Sequence, residues 1–304
     1  MDDDRSITGY PLMLFTAALA MMLQVGPNPS VGATPDYSEE IQNRPPRDGV
    51  TREKKFLGPL EPVPPHIANS WLKRCLDLVE TDPARAHVQA QLRASEAKGD
   101  DQVFAQHCLG LAATQLKRWD EAQAAFIAAR DAAPMNDARF RARLGTMAAG
   151  AAMGRGDAPM ALTLLGIAQN DAEAATAKDL QAIIAVDQAR TLVAQGRLPE
   201  AEPYLIHAQS LRPGDVEAPL LTATLLRRLE RFDEAQAQIE AASALAPLNP
   251  AVGLEAGLIA VLSGREEAAR TSWQSVVETS PESPAAATAK EYLAQLPDAA
   301  TSSP

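Results

Sequence analysis

Three kinds of hydrophobic pattern follow one another along the chain. Leu12 to Val25 is an uninterrupted run without a charge, closed by Gly26, Pro27, Asn28 and Pro29. Residues 34–66 show no apolar period and carry Pro35, Pro45, Pro46, Pro59, Pro62, Pro64 and Pro65 among charged residues. From residue 67 onward apolar and small residues return at helical spacing, as Trp71, Leu72, Cys75, Leu76 and Val79 do along one helical face.

The first run is shorter than the ~20 apolar residues of a comfortable bilayer span and fits the core of a secretory signal peptide. Val31-Gly32-Ala33 supplies small residues for cleavage, which makes 1–33 a leader and Thr34 the first mature residue. Met1-Asp2-Asp3-Asp4-Arg5 is acidic where a positive charge is expected, so an uncleaved anchor through residues 12–25 stays open beside it. The expected location is accordingly periplasmic or secreted, or inner-membrane-anchored. Proline removes donors and fixes φ, so 34–66 reads as an extended linker that does not pack. The tail 297–304 reads as disordered.

A turn recurs beyond residue 100: Lys117-Arg118-Trp119-Asp120-Glu121-Ala122, Gly196-Arg197-Leu198-Pro199-Glu200-Ala201, Glu230-Arg231-Phe232-Asp233-Glu234-Ala235 and Gly264-Arg265-Glu266-Glu267-Ala268-Ala269, with a weaker copy at Arg155 to Ala161. Aligning the last alanines gives units of about 103–136, 142–175, 182–215, 216–249 and 250–283, the last three at one constant spacing. Positions not used to set the register agree. The eighth is always small (Gly110, Ala149, Ala189, Ala223, Gly257) and the twenty-fourth always larger (Phe126, Leu165, Leu205, Ile239, Trp273). Proline holds the thirty-second in every unit except the second, where Glu173 stands.

This pattern resembles the tetratricopeptide repeat family, whose unit is a helix-turn-helix of about 34 residues. The resemblance is strong over 103–283 and looser over 67–296. It implies an all-α fold, a right-handed superhelix (α-solenoid) of stacked helical pairs with a concave inner face. Close approach of the paired helices needs the small eighth residue, and the twenty-fourth fills the space beside it. Residues 67–101 form a degenerate N-terminal helical pair, and 284–296 a C-terminal capping helix.

Composition agrees with helices. Alanine accounts for 59 of 304 residues and aromatics for only 4%, which excludes a β-sandwich or barrel. A net charge of −11 argues against nucleic acid and against a membrane-surface role for the body of the chain. The membrane enters only through an uncleaved leader.

Candidate chemistry is sparse. Phosphate-loop, nucleophile-elbow and paired-cysteine metal signatures are absent, so no cofactor, metal or catalytic residue is assigned. His107 adjoins Cys108, but helix neighbours point about 100° apart and do not face each other. The register makes His107 a groove-lining residue and Cys108 a core one. Cys75 and Cys108, nearly one repeat length apart, form a candidate disulfide between equivalent first helices; two buried free thiols are the alternative. Arg227, Arg228 and Arg231 make the one dense basic cluster, read either as a solvated helix end or as an anion site.

The resemblance also implies which side chains face the groove: the second, fifth, ninth, twelfth and thirteenth of each first helix. In the fourth unit these include Leu220, Thr224, Arg227 and Arg228, and in the fifth Leu254, Leu258, Val261 and Leu262. The fifth-unit strip is apolar, so it is expected either to bind a partner or to be covered by the capping helix. The chaperone-gripping Lys and Asn that some family members carry at the fifth and ninth positions have no counterpart here. The expected function is a non-enzymatic scaffold that binds a protein or peptide in its groove, with a self-associating structural module or membrane-anchored assembly factor as the alternative.

Overall fold

The computed structural model of the protein describes residues 70–296, so the leader, the linker and the C-terminal tail lie outside the described residues. Thirteen helices make up this part: α1 Ser70–Thr81, α2 Pro83–Glu96, α3 Asp100–Gln115, α4 Trp119–Ala132, α5 Ala138–Gly154, α6 Ala158–Ala174, α7 Lys178–Ala194, α8 Leu198–Leu211, α9 Glu217–Arg228, α10 Phe232–Leu245, α11 Pro250–Leu262, α12 Glu266–Thr279 and α13 Pro284–Leu293. No strand occurs among the described residues. Each helix packs chiefly on its neighbours in sequence, and α1 also touches α3, α5 touches α7, α9 touches α11 and α11 touches α13. The result is an all-α solenoid.

The repeat sequence accounts for the punctuation. α4, α8, α10 and α12 each stop just before Pro134, Pro213, Pro247 and Pro281, because proline has no N–H with which to continue the helix. Glu173 imposes no such stop, and α6 runs through it to Ala174. Between the two helices of a pair the fifteenth residue takes a left-handed conformation: Lys117, Gly156, Gly196, Glu230 and Gly264 have φ between 58° and 84°. The next N–H then bonds back into the last turn, as Arg118 does to the Ala113 carbonyl and Arg231 to that of Leu226, satisfying carbonyls that the helix end leaves open.

The core is a column of small-against-large contacts. Phe126, Leu165, Leu205, Ile239 and Trp273 are at most 2% exposed, and the eighth-position residues lie against them. The partner size is graded. Where the large residue is aromatic the small one is glycine: a Cβ on Gly110 would fall 2.6 Å from Phe126 ring carbons, and one on Gly257 would fall inside the Trp273 indole. Where it is Leu or Ile, alanine fits. Trp273 also donates its Nε1–H to the Leu254 carbonyl at 3.1 Å, which satisfies the indole without water.

The N-terminal pair joins the array by three kinds of contact. Cys75 on α1 and Cys108 on α3 meet as a disulfide with Cα atoms 6.3 Å apart. Buried His87 on α2 lies 2.7 Å from the Glu121 carboxylate on α4, and the Arg93 guanidinium of α2, stacked on Trp71 within the pair, reaches the Asp101 carboxylate of α3 at 2.9 Å. At the other end α13 packs on α11 and α12, with Tyr292 5.1 Å from Trp273.

Candidate functional site

The first helices α3, α5, α7, α9 and α11 present one side to their second helices and the other to the concave face. On an α-helix the fifth and twelfth positions lie only about 60° and 40° around from the eighth, whereas the second, sixth, ninth and thirteenth lie roughly 100–160° away. Burial follows these angles in part: His107, Thr146, Val186 and Leu254, all fifth, are buried, but of the twelfth residues only Arg227 is, and on α3 the second and sixth residues, Phe104 and Cys108, are buried in the core shared with the N-terminal pair. The open face is made by half-buried Met147 and Gly150 on α5, Ile183, Asp187 and Arg190 on α7, and Leu221, Thr224 and Arg228 on α9.

Several site assignments from the sequence need correction. His107 does not line the groove; it is 8% exposed, with its ring edge-on to Phe140 at 5.6 Å and tilted to Phe126 at 6.4 Å. Leu254 and Leu258 are each 5% exposed and belong to a core with Trp273, Val276, Ala286, Ala289 and Tyr292, so the apolar strip of α11 is interior there. Leu254 is turned inward by its fifth position; Leu258 is covered because Tyr292 comes over it from α13. Val261 packs partly on the same core, and Leu262 stays exposed. Leu220, Thr224 and Arg228 remain half-buried on α9.

The basic cluster divides into three environments. Arg227 is buried and paired with buried Glu255 of α11, Nε to Oε1 at 2.6 Å. Arg231, at the turn, pairs with Glu234 and reaches Glu202 of the preceding unit, each at 2.6 Å. Arg228 has no carboxylate partner among the described residues, and burial together with the neighbouring Arg227 pushes its guanidinium below its ordinary value.

The middle of the groove holds a charged trio, of which Arg190 (ninth) and Glu217 (second) stand at groove positions read from the sequence and Asp187 (sixth) does not. Arg190 on α7 contacts Asp187 at 3.3 Å and Glu217 of α9 at 2.5 Å, two carboxylates sharing one guanidinium. Burial pushes the Asp187 carboxyl up to about 6; Arg190 opposes this and Glu217 reinforces it. Asp187 and Glu255 are both sixth in their units. The helical period would have found them, since the sixth position is one turn beyond the second and two turns before the thirteenth.

Cys108 is fully buried and joined to Cys75, so it offers no thiolate to a substrate. Among the described residues no group of three or more His, Cys, Asp or Glu side chains is placed to hold a metal ion. No described helix is long and apolar enough to cross a membrane.

A family model described as Tetratricopeptide repeat matches residues 192–258. No curated protein sequence matches the chain. The solved structures that share the fold include two of the same extent. One is PilW, described as a widely conserved type IV pilus biogenesis factor, with 18% identity, a TM-score of 0.56, and coverage of 72% of this chain and 98% of that one. The other is PilF of Pseudomonas aeruginosa, with 14% identity, a TM-score of 0.55, and coverage of 74% and 96%.

Proposed function

Since the chain belongs to the tetratricopeptide repeat family, we propose that it is a non-enzymatic scaffold that docks a segment of another protein along its concave face. The observation that carries this reading is the band of half-buried side chains on α5, α7 and α9, which the described helices leave uncovered because each packs on its neighbours along the array. A preformed surface of this kind limits the ordering cost on the receptor side. Of the groove ionic groups, Asp187, Arg190 and Glu217 are engaged with one another, and so are Arg227 and Glu255. Thr224→Trp and Leu221→Trp, which fill the groove without changing its charge, should abolish partner capture, while a tryptophan placed at exposed Ala237 of α10 leaves it intact. Equal capture by all three variants contradicts the reading.

The division of the chain belongs to the same proposal. Residues 1–33 act as an export leader, 34–66 as a spacer, 67–101 as the first helical pair, 103–283 as five repeats and 284–296 as the closing helix. Placement in the periplasm rests on the leader. N-terminal sequencing of native protein should return Thr34, and recovery of Met1 from the cytosol would overturn export.

One observation favours the second reading, self-association. Val88 and Leu92, one turn apart on α2 in the terminal pair, are each 64% exposed. If they join copies end to end, light scattering will show a dimer that Val88→Asp and Leu92→Asp convert to a monomer.

A further inference from the structure

The distribution of charge in the groove indicates what kind of segment it accepts. The chain carries a net charge of −11. Yet at the second, fifth, sixth, ninth, twelfth and thirteenth positions of α3, α5, α7, α9 and α11 four arginines stand against three carboxylates. Two of those arginines are committed, Arg190 to Asp187 and Glu217 and Arg227 to Glu255. The other two, Arg143 on α5 and Arg228 on α9, have no carboxylate partner among the described residues. Arg228 is half-buried beside Arg227, so it gives up hydration without gaining a counter-charge. A guanidinium in that setting is completed by an incoming carboxylate, which it can hold through two parallel N–H donors.

The surface between the two arginines is uncharged on either side of the Arg190 trio. Gly150 leaves open space where a side chain would be, and Met147, Ile183 and Leu221 offer partly exposed apolar flanks. Two helix spacings and the rise from a second to a thirteenth position separate Arg143 from Arg228 by on the order of 20–25 Å, which about seven extended residues would span.

We infer that the groove recognises an acidic segment of a partner protein, with apolar residues between carboxylates that pair with Arg143 and Arg228. This rests on the reading of the concave face as a docking surface and adds to it the chemistry of the occupant. Asp187 and Glu217 would repel such a segment if both were bare, but Arg190 lies between them, and the raised Asp187 carboxyl weakens the repulsion further on mild acidification.

The test uses the full chain and three fluorescein-labelled dodecapeptides, in which leucine alternates with Glu, with Gln or with Lys, followed by anisotropy at low and high salt. The Glu peptide should bind at least ten-fold tighter than the Gln peptide and lose that margin in high salt. Arg228→Gln, and separately the exposed Arg143→Gln, should weaken the Glu peptide about ten-fold while leaving the Gln peptide and the helical circular dichroism unchanged. Equal binding of the Glu and Gln peptides, a preference for Lys, or indifference to both substitutions overturns the acidic assignment alone. Absence of binding by all three peptides overturns the docking reading as well.

Discussion

The indole of Trp273 occupies the space that a side chain on Gly257 would need, and its Nε1–H is bonded to the Leu254 carbonyl one turn before that glycine. Gly257→Ala therefore forces the largest buried side chain of the array out of place. The expected loss is about 1–3 kcal/mol, the usual cost of overpacking, read from urea unfolding. Adding Trp273→Leu should recover part of it, because Ala189 with Leu205 shows that the pair tolerates alanine beside leucine. An unchanged midpoint for the single variant would contradict the graded packing.

Leu258→Asp reports on whether the α11 strip is interior. With Tyr292 and Trp273 in the same core, the substitution buries an unpaired carboxylate, and stability should fall by roughly 3 kcal/mol or more. Melting that matches the parent protein would return the strip to the surface.

Backbone strain offers an opposite sign. Glu230 holds φ 60° at the position that glycine occupies in three of the five units, and the left-handed region costs an L-residue on the order of 1 kcal/mol. Glu230→Gly should stabilise the chain by about 0.5 kcal/mol after glycine's own entropy cost, whereas Gly196→Ala should destabilise it. Thermal melting of the two variants in parallel decides the sign.

Asp187 makes part of the stability depend on pH. Its carboxyl ionises near 6 in the folded chain against about 3.8 when free, so between these values the folded state holds the extra proton. Stability from this group is greatest below about pH 4, falls as pH rises toward 6 and is flat above. Partial exposure reduces the effect to about 1–2 kcal/mol. Asp187→Asn should remove that slope and leave the variant more stable than the parent at pH 7; a parallel pair of pH–stability curves would contradict the assignment.

The Cys75–Cys108 link ties α1 to the first full repeat across a sequence separation of 33. Thiol titration of the native protein under denaturing, non-reducing conditions should find no free thiol, and replacing both cysteines by serine should cost about 3–4 kcal/mol on the loop-entropy scale. Two titratable thiols would mean that the pair stays reduced.

The repeat, its turns and its small-to-large packing were legible in the sequence because each depends on residues a fixed distance apart within one unit, as Gly110 and Phe126 are. The groove was legible only in part. Its positions are shared between units, so the burial of Leu258 depends on Tyr292, two helices further along the chain, and Arg227 is neutralised by Glu255 from the next first helix. Such contacts follow from the stacking of units and leave no local signature. The left-handed turn at Lys117 and Glu230 shows the reverse: position in the repeat fixed the conformation despite side chains that disfavour it.

The central claim, that the concave face docks a protein segment, is tested most directly by site-specific photocrosslinking in the native cell. A benzophenone side chain at Thr224, half-buried on the groove face of α9, should give a cross-linked adduct with another polypeptide, while the same group at exposed Ala237 of α10 should give none. An adduct at Ala237 with none at Thr224 would contradict the account.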